Sequence, residues 1–222
     1  MPGWSDVATG LLSNLLLCAV CLGSSMQTLQ IHRGAAAGFL LQALVALLET
    51  AVLLAAALGL GSAPAARPPD AAWVSTVVGL PLLVFAFHWL SGDCSTANIL
   101  LGGALLLAGG WDYFTEEGKA MAAHSITMVA SITILIISVF TGNAYGVLGG
   151  LLVGTAGLLA GSQLQLLLAL SKRDVRHGLM AAANLTLRWA LQTQHQELGR
   201  GGRGLQPWTD GGDPADHLVE GS

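Results

Sequence analysis

Residues 35–61 read AAAGFLLQALVALLETAVLLAAALGLG. One charged side chain, Glu49, and two polar ones, Gln42 and Thr50, interrupt an otherwise apolar run. A helix needs about 20 mainly apolar residues to cross roughly 30 Å of hydrocarbon. This stretch is longer, so it crosses with room to tilt. It shows no polar face of the kind that turns a soluble helix toward water. The segment therefore reads as a transmembrane helix, and the rest of the chain repeats the theme.

Further spans are predicted at about 7–26, 73–92, 97–114, 125–142 and 144–170. Residues 62–72, SAPAARPPDAA, form a Pro-rich loop through which no helix continues. The other connections are short, which favours antiparallel neighbours. The fold class is all-α: a polytopic membrane helix bundle of about six transmembrane helices over residues 1–172. Composition agrees. Charged residues make up 10% of the 222-residue chain, hydrophobic residues 53%, and net charge is −4. An ordinary soluble domain carries about 25% charged residues. Mean hydropathy is +0.65. These values exclude a disordered chain, a basic nucleic-acid-binding domain and, with 3 cysteines, a disulfide-rich scaffold.

A cleaved signal peptide is the alternative for the first span, but Asp6 stands where a positive region belongs. Orientation follows from Lys and Arg in the short loops. Arg67, Lys119, Lys172, Arg173 and Arg176 fall on one side and only Arg33 on the other. This favours cytoplasmic N- and C-termini. The His32-Arg33 pair after the first span dissents, and five spans with an outside N-terminus is the runner-up. Residues 173–197 are expected to form a basic amphipathic helix. Val175, Leu179, Leu185 and Trp189 cluster on one face, and the helix either lies on the membrane or extends the sixth span. Residues 198–222 are expected to be a disordered tail. Asn184-Leu-Thr186 is an N-glycosylation acceptor sequence.

Inside the membrane, Gly146, Gly150, Gly154, Gly157 and Gly161 fall at about 0, 40, 80, 20 and 60° on a helical wheel. One glycine face lets helix backbones approach closely, so the stripe points to helix packing within or between chains. Gly34 and Gly38 repeat the spacing in span two. Glu49 is the informative charge. Burial favours its neutral acid form. Gln42 lies about 20° away on the same face, so the two form a candidate intramembrane polar site. The polar site is read either as helix glue or as a proton- or cation-responsive centre.

His88, beyond Pro81, is a possible partner for Glu49 or an interfacial residue between Phe87 and Trp89. Asp112, between Trp111 and Tyr113, marks the end of span four in the headgroup belt. Asn14, Cys18, Cys21 and Ser25 share one face of span one. His124, Thr127, Ser131 and Ser138 share one face of span five. Packing is their default reading, and a water-lined path is the alternative. Cys18-Ala-Val-Cys21 has the spacing of a redox pair and resembles the embedded thiols of vitamin K epoxide reductase-type enzymes. Those enzymes need a second cysteine pair, and only Cys94 remains. No catalytic or metal-ligand spacing is present, so neither an enzyme nor a cofactor is expected.

The layout, with Gly110-Trp-Asp-Tyr-Phe-Thr-Glu-Glu-Gly118 running toward Ala144-Tyr-Gly-Val-Leu-Gly-Gly150, resembles the small vertebrate multi-pass proteins of the transmembrane protein 276 family. The resemblance implies a multi-pass membrane protein and carries over no functional residue. The expected partners are the lipid bilayer and a second copy or another membrane protein, with no nucleic acid. A packing, accessory or oligomeric role is the first expectation. A small-solute or proton-coupled transporter or channel using Glu49 is the alternative.

Overall fold

A computed structural model describes residues 4–59, 69–161 and 172–201. Most of the Pro-rich loop, the expected end of the sixth span and most of the expected tail lie outside them. The described residues form α1 (Trp4–Thr28), α2 (Arg33–Ala57), α3 (Pro69–Leu90), α4 (Cys94–Gly109), α5 (Glu116–Phe140), α6 (Ala144–Gly161) and α7 (Lys172–Gly201). A 3-10 turn, Trp111–Tyr113, joins α4 to α5. Four helices contain stretches long and apolar enough to cross a membrane: Val7–Thr28, Arg33–Ala57, Ala71–Leu90 and Glu116–Phe140. α4 and α6 are apolar but shorter.

The helix ends follow from capping chemistry. The His32 ring nitrogen accepts from the Ala35 amide at the start of α2, 3.4 Å away. Asp93 accepts from Thr96 at α4, and Thr115 from Gly118 at α5. Each side-chain acceptor satisfies an amide that lacks an intrahelical partner. Thr115 starts α5 nine residues ahead of the predicted span, with Glu116 and Glu117 beside the positive end of the helix dipole. The Gly142-Asn143 breaker is a true turn. Gly142 has φ 67°, which a side chain would strain. Asn143 then caps α6 through Gly146 and donates to the Ala190 carbonyl of α7 at 2.8 Å.

Six helices close a ring: α1 on α2, α2 on α3, α3 on α5, α5 on α6, α6 on α7, and α7 on α1. α4 lies outside, against α3. Phe39, Leu80, Leu83, Phe87, Ile134 and Leu187 fill the centre. Outward positions are apolar too. Leu12, Ile99, Leu106 and Val139 are all well exposed, as hydrocarbon contact requires. The glycine stripe is consumed within the chain. A Cβ on Gly150 would sit 2.9 Å from Leu135 Cγ, and one on Gly154 2.6 Å from Ser131 Oγ. Gly157 faces Thr127, while Gly146 meets Ser138, all on α5. Gly149, off the predicted stripe, presses on Leu187 of α7. Gly161 ends the described part of α6. Across the ring, a Cβ on Gly38 would lie 2.8 Å from the Gly79 carbonyl, so α2 and α3 touch through backbone.

α7 departs from the surface helix read from the sequence. Val175, Leu179 and Leu185 are only partly buried and Trp189 is exposed. The buried face instead carries Ala183, Asn184, Leu187, Ala190 and Leu191, all 0% exposed. Apolar character alone does not mark the buried face here, since Leu187 and Leu191 share it with Asn184 and two alanines. In lipid the outward face can be apolar as well, so small and polar side chains are what distinguish the bundle face.

Helix direction alternates along the chain, and α7 runs parallel to α1. Ser13 of α1 donates to Asp174 at one end, and Gln192 of α7 to Gln27 at the other. Trp4 and Gly201 therefore lie at opposite ends of the bundle. Asn184 is wholly buried, so its acceptor sequence cannot report membrane sidedness in the folded chain.

Two outcomes follow. Gly150→Leu should destabilise the detergent-solubilised protein by about 1–3 kcal/mol through overpacking against α5, with oligomeric state unchanged. Gly102→Ala, where a Cβ meets nothing within 4 Å, should not lower the melting temperature. A change of oligomeric state on Gly150→Leu would put the stripe between chains instead. Protease protection of terminal tags should place the N- and C-termini on opposite sides of the membrane, with no glycan on Asn184. Same-side termini would remove α7 from the ring.

Candidate functional site: a polar cavity inside the helix ring

Glu49 lies two turns before the end of α2, with Gln42 seven residues earlier. At 1.5 Å per residue the two are about 10 Å apart on one face. α7 presents a matching pair, His177 and Asn184, also seven residues apart but running the other way. The pairs meet in register. Glu49 Oε2 lies 3.8 Å from His177 Nε2. Asn184 Nδ2 donates to Gln42 Oε1 at 2.7 Å and lies 3.1 Å from Cys21 Sγ. The acid without an obvious counter-ion in the sequence thus has an imidazole beside it.

Gln42, Glu49 and His177 border a cavity of about 420 Å³. Every helix except α4 contributes to its wall. α2 supplies Gln42 and Glu49, α3 Trp73, Ser75 and Thr76, α5 His124 and Thr127, and α7 Arg176 and His177. Leu17, Leu80 and Met180 add apolar surface. Trp73 is fixed by its Nε1, which donates to the Lys119 carbonyl at 2.8 Å. The cavity sits toward the bundle end that carries Lys119 and Arg176, at the N-terminal ends of α3, α5 and α7. Among the described residues of the wall, Glu49 is the acid, beside the permanent cation Arg176 and the imidazoles of His124 and His177.

Beyond their mutual bond, the two amides leave two atoms without partners among the described residues. Gln42 Nε2 and Asn184 Oδ1 are buried with no hydrogen bond in the protein. A buried amide donor left unsatisfied costs on the order of 1–3 kcal/mol, so an acceptor or a water at this point is worth binding energy.

His88 does not meet Glu49. It lies at the opposite end of the bundle, with Nδ1 3.4 Å from Asp93 Oδ2. The bonds from Thr96, with His88 adding to them, hold the Asp93 carboxyl below the usual carboxylate range. That cap is intact at neutral pH and is lost as acid titrates through the lowered value. Burial pushes His32 down, which keeps it a neutral acceptor for α2. Asp112 is exposed in the 3-10 turn, and Lys119 Nζ sits 5.0 Å from the centroid of the neighbouring Trp111 ring. Cys18 and Cys21 are free buried thiols, as packing residues would be. Ser25 donates to the Ala36 carbonyl and Ser131 to the Gly150 carbonyl, so these two polar positions cross-link helices. His124 and Thr127 of the same α5 stripe instead line the cavity.

Known proteins supply a family but no chemistry. No family model matches the chain, and no solved structure matches it. Transmembrane protein 276 of Bos taurus is 47% identical over 196 residues, 87% of this chain and 95% of that protein. The Mus musculus protein is 44% identical over 86% of this chain and 93% of its own length. Transmembrane protein 276 of Homo sapiens is 44% identical over 87% of this chain and 95% of its own length. With this identity over nearly their full length, and with its apolar helices, the chain is an integral membrane protein and belongs to the transmembrane protein 276 family.

Proposed function

We propose that the chain moves small polar solutes or protons across the membrane, by way of the cavity between its helices, without acting as an enzyme. One observation carries this reading: six helices converge on a cavity of about 420 Å³ whose wall holds Glu49 beside His177. Protein interiors are close-packed, and a bundle built for packing alone fills such space with apolar side chains. Cavities of about 300–1,000 Å³, mostly apolar with a few placed polar groups, are usual for small-molecule sites. Intramembrane ionisable residues mark ion and substrate paths, because leaving them there is costly.

Glu49 and His177 face each other, with Arg176 and His124 on the same wall. Carboxyl and imidazole groups can pass protons, whereas the Arg176 guanidinium stays charged. The glycine stripe supports a packing role within the chain, since its partners are α5 and α7. It lends little weight to an accessory or oligomeric role, because the face is already occupied.

The test is flux. Protein reconstituted in vesicles that hold a pH-sensitive dye should dissipate an imposed pH gradient faster than empty vesicles. Glu49→Gln should reduce that excess at least tenfold, a barrier change of about 1.4 kcal/mol or more. Wild-type flux equal to that of empty vesicles, or to that of Glu49→Gln, would overturn the proposal.

A further inference from the structure

The cavity occupies one half of the bundle, and the other half is sealed by packing. Beyond the cavity wall the ring helices supply Phe39, Leu83, Phe87, Ile134, Val153 and Leu187, each 0% exposed and joined in one cluster. From Leu80 to Leu90 on α3, and from Thr127 to Ile137 on α5, this layer takes up about 15 Å of helix. A dry apolar layer of that depth stops water, ions and polar solutes. At its far edge the interior turns polar again. His88 Nε2 and Gln194 Oε1 are buried there without a partner among the described residues.

α3 carries a weak point at the border between wall and layer. Leu80 lines the cavity, Leu83 belongs to the layer, and Pro81 stands between them. Proline has no amide to bond the carbonyl four residues back, and its ring crowds that carbonyl, so α3 bends most readily here. The half before Pro81 is held. Gly79 meets Gly38 of α2 through backbone, and Trp73 Nε1 donates to the Lys119 carbonyl. The half after it has room behind it. An apolar crevice of about 220 Å³ runs between α4 and α5 on the outer side of α3. Pro81 and Val84 border it, with Ile99 and Gly103 of α4 and Ile126 and Val129 of α5. Val84 belongs both to the buried layer and to the crevice. Ile99 and Val129 are exposed, so the crevice opens on hydrocarbon. Lipid tails are as apolar as these side chains, so movement into that space loses little.

We infer that the apolar layer is the gate of the transport path, and that the half of α3 beyond Pro81 opens it by swinging outward into the crevice between α4 and α5. This rests on the transport reading above and supplies its moving part. In the closed form Leu83 and Phe87 complete the layer. Their withdrawal joins the cavity to the far end of the bundle, where His88 and Gln194 then meet water.

The test uses the full chain in the vesicles that hold a pH-sensitive dye. Leu83→Ala thins the layer and should raise the protein-dependent flux about tenfold. Gly103→Leu fills the crevice behind Val84, and Pro81→Ala restores the missing amide. Each should lower that flux about tenfold without lowering the melting temperature. Gly102→Leu is the control. A Cβ there also meets nothing within 4 Å, but the residue lies off the crevice wall, so its flux should equal wild type.

Flux left unchanged by both Gly103→Leu and Pro81→Ala overturns the gate, as does an equal loss in Gly102→Leu or a wild-type flux in Leu83→Ala. If Glu49→Gln still removes the flux in that case, the gate alone falls. Wild-type vesicles no faster than empty ones remove the transport reading and the gate with it.

Discussion

The hydrogen bond from Asn184 to Gln42 organises the whole bundle. Both side chains are buried among helices that face lipid, where neither can find bulk water. Each therefore needs the other, and the 2.7 Å contact fixes α7 against α2 at one register. With that register set, His177 falls opposite Glu49, Cys21 lies beside Asn184, and Leu187 and Leu191 enter the core. Interhelical hydrogen bonds in membranes are individually modest, about 0.6 kcal/mol on average. This one acts more by excluding other registers than by its own strength.

Close backbone approach then shapes the space that the polar contacts leave. Gly38 against the Gly79 carbonyl draws α2 onto α3. Gly146, Gly150, Gly154 and Gly157 draw α6 onto α5. Where helices touch through backbone, van der Waals contact is greatest and nothing larger than hydrogen fits. The same glycine at position 157 also borders the cavity, so the tight seam ends where the open space begins.

Much of this was legible in the sequence because hydrocarbon imposes so few options. The six apolar runs, the Gly142-Asn143 turn and the glycine face all follow from length, breaker chemistry and wheel angle. Glu49 and Gln42 stood out because charge and amide are costly in an apolar run. α7 was not legible, for one physical reason. Its most apolar face reads as the buried one under the rule for helices in water, whereas the bundle buries Asn184, His177 and small residues instead. A signal did exist. His177 and Asn184 repeat the seven-residue spacing of Gln42 and Glu49 in the reverse order, as an antiparallel pair requires. That match gains meaning only once α7 is allowed into the bundle. Arg176, counted in the sequence among the charges that set orientation, lines the cavity.

The ring has a temporal side as well. Two of its neighbouring helix pairs, α1–α2 and α5–α6, are joined by short connections and can form as soon as each hairpin leaves the ribosome. The α1–α7 seam is different, since Ser13 meets Asp174 and Cys21 meets Asn184 across more than 150 positions of chain. That closure carries the largest loop entropy and belongs to the last helix made. Until then Gln42 and Glu49 line an open trough rather than a chamber. A chain stopped before α7 presents that trough directly to lipid, which makes the final helix the gatekeeper between a finished protein and one that cellular quality control should recognise as incomplete.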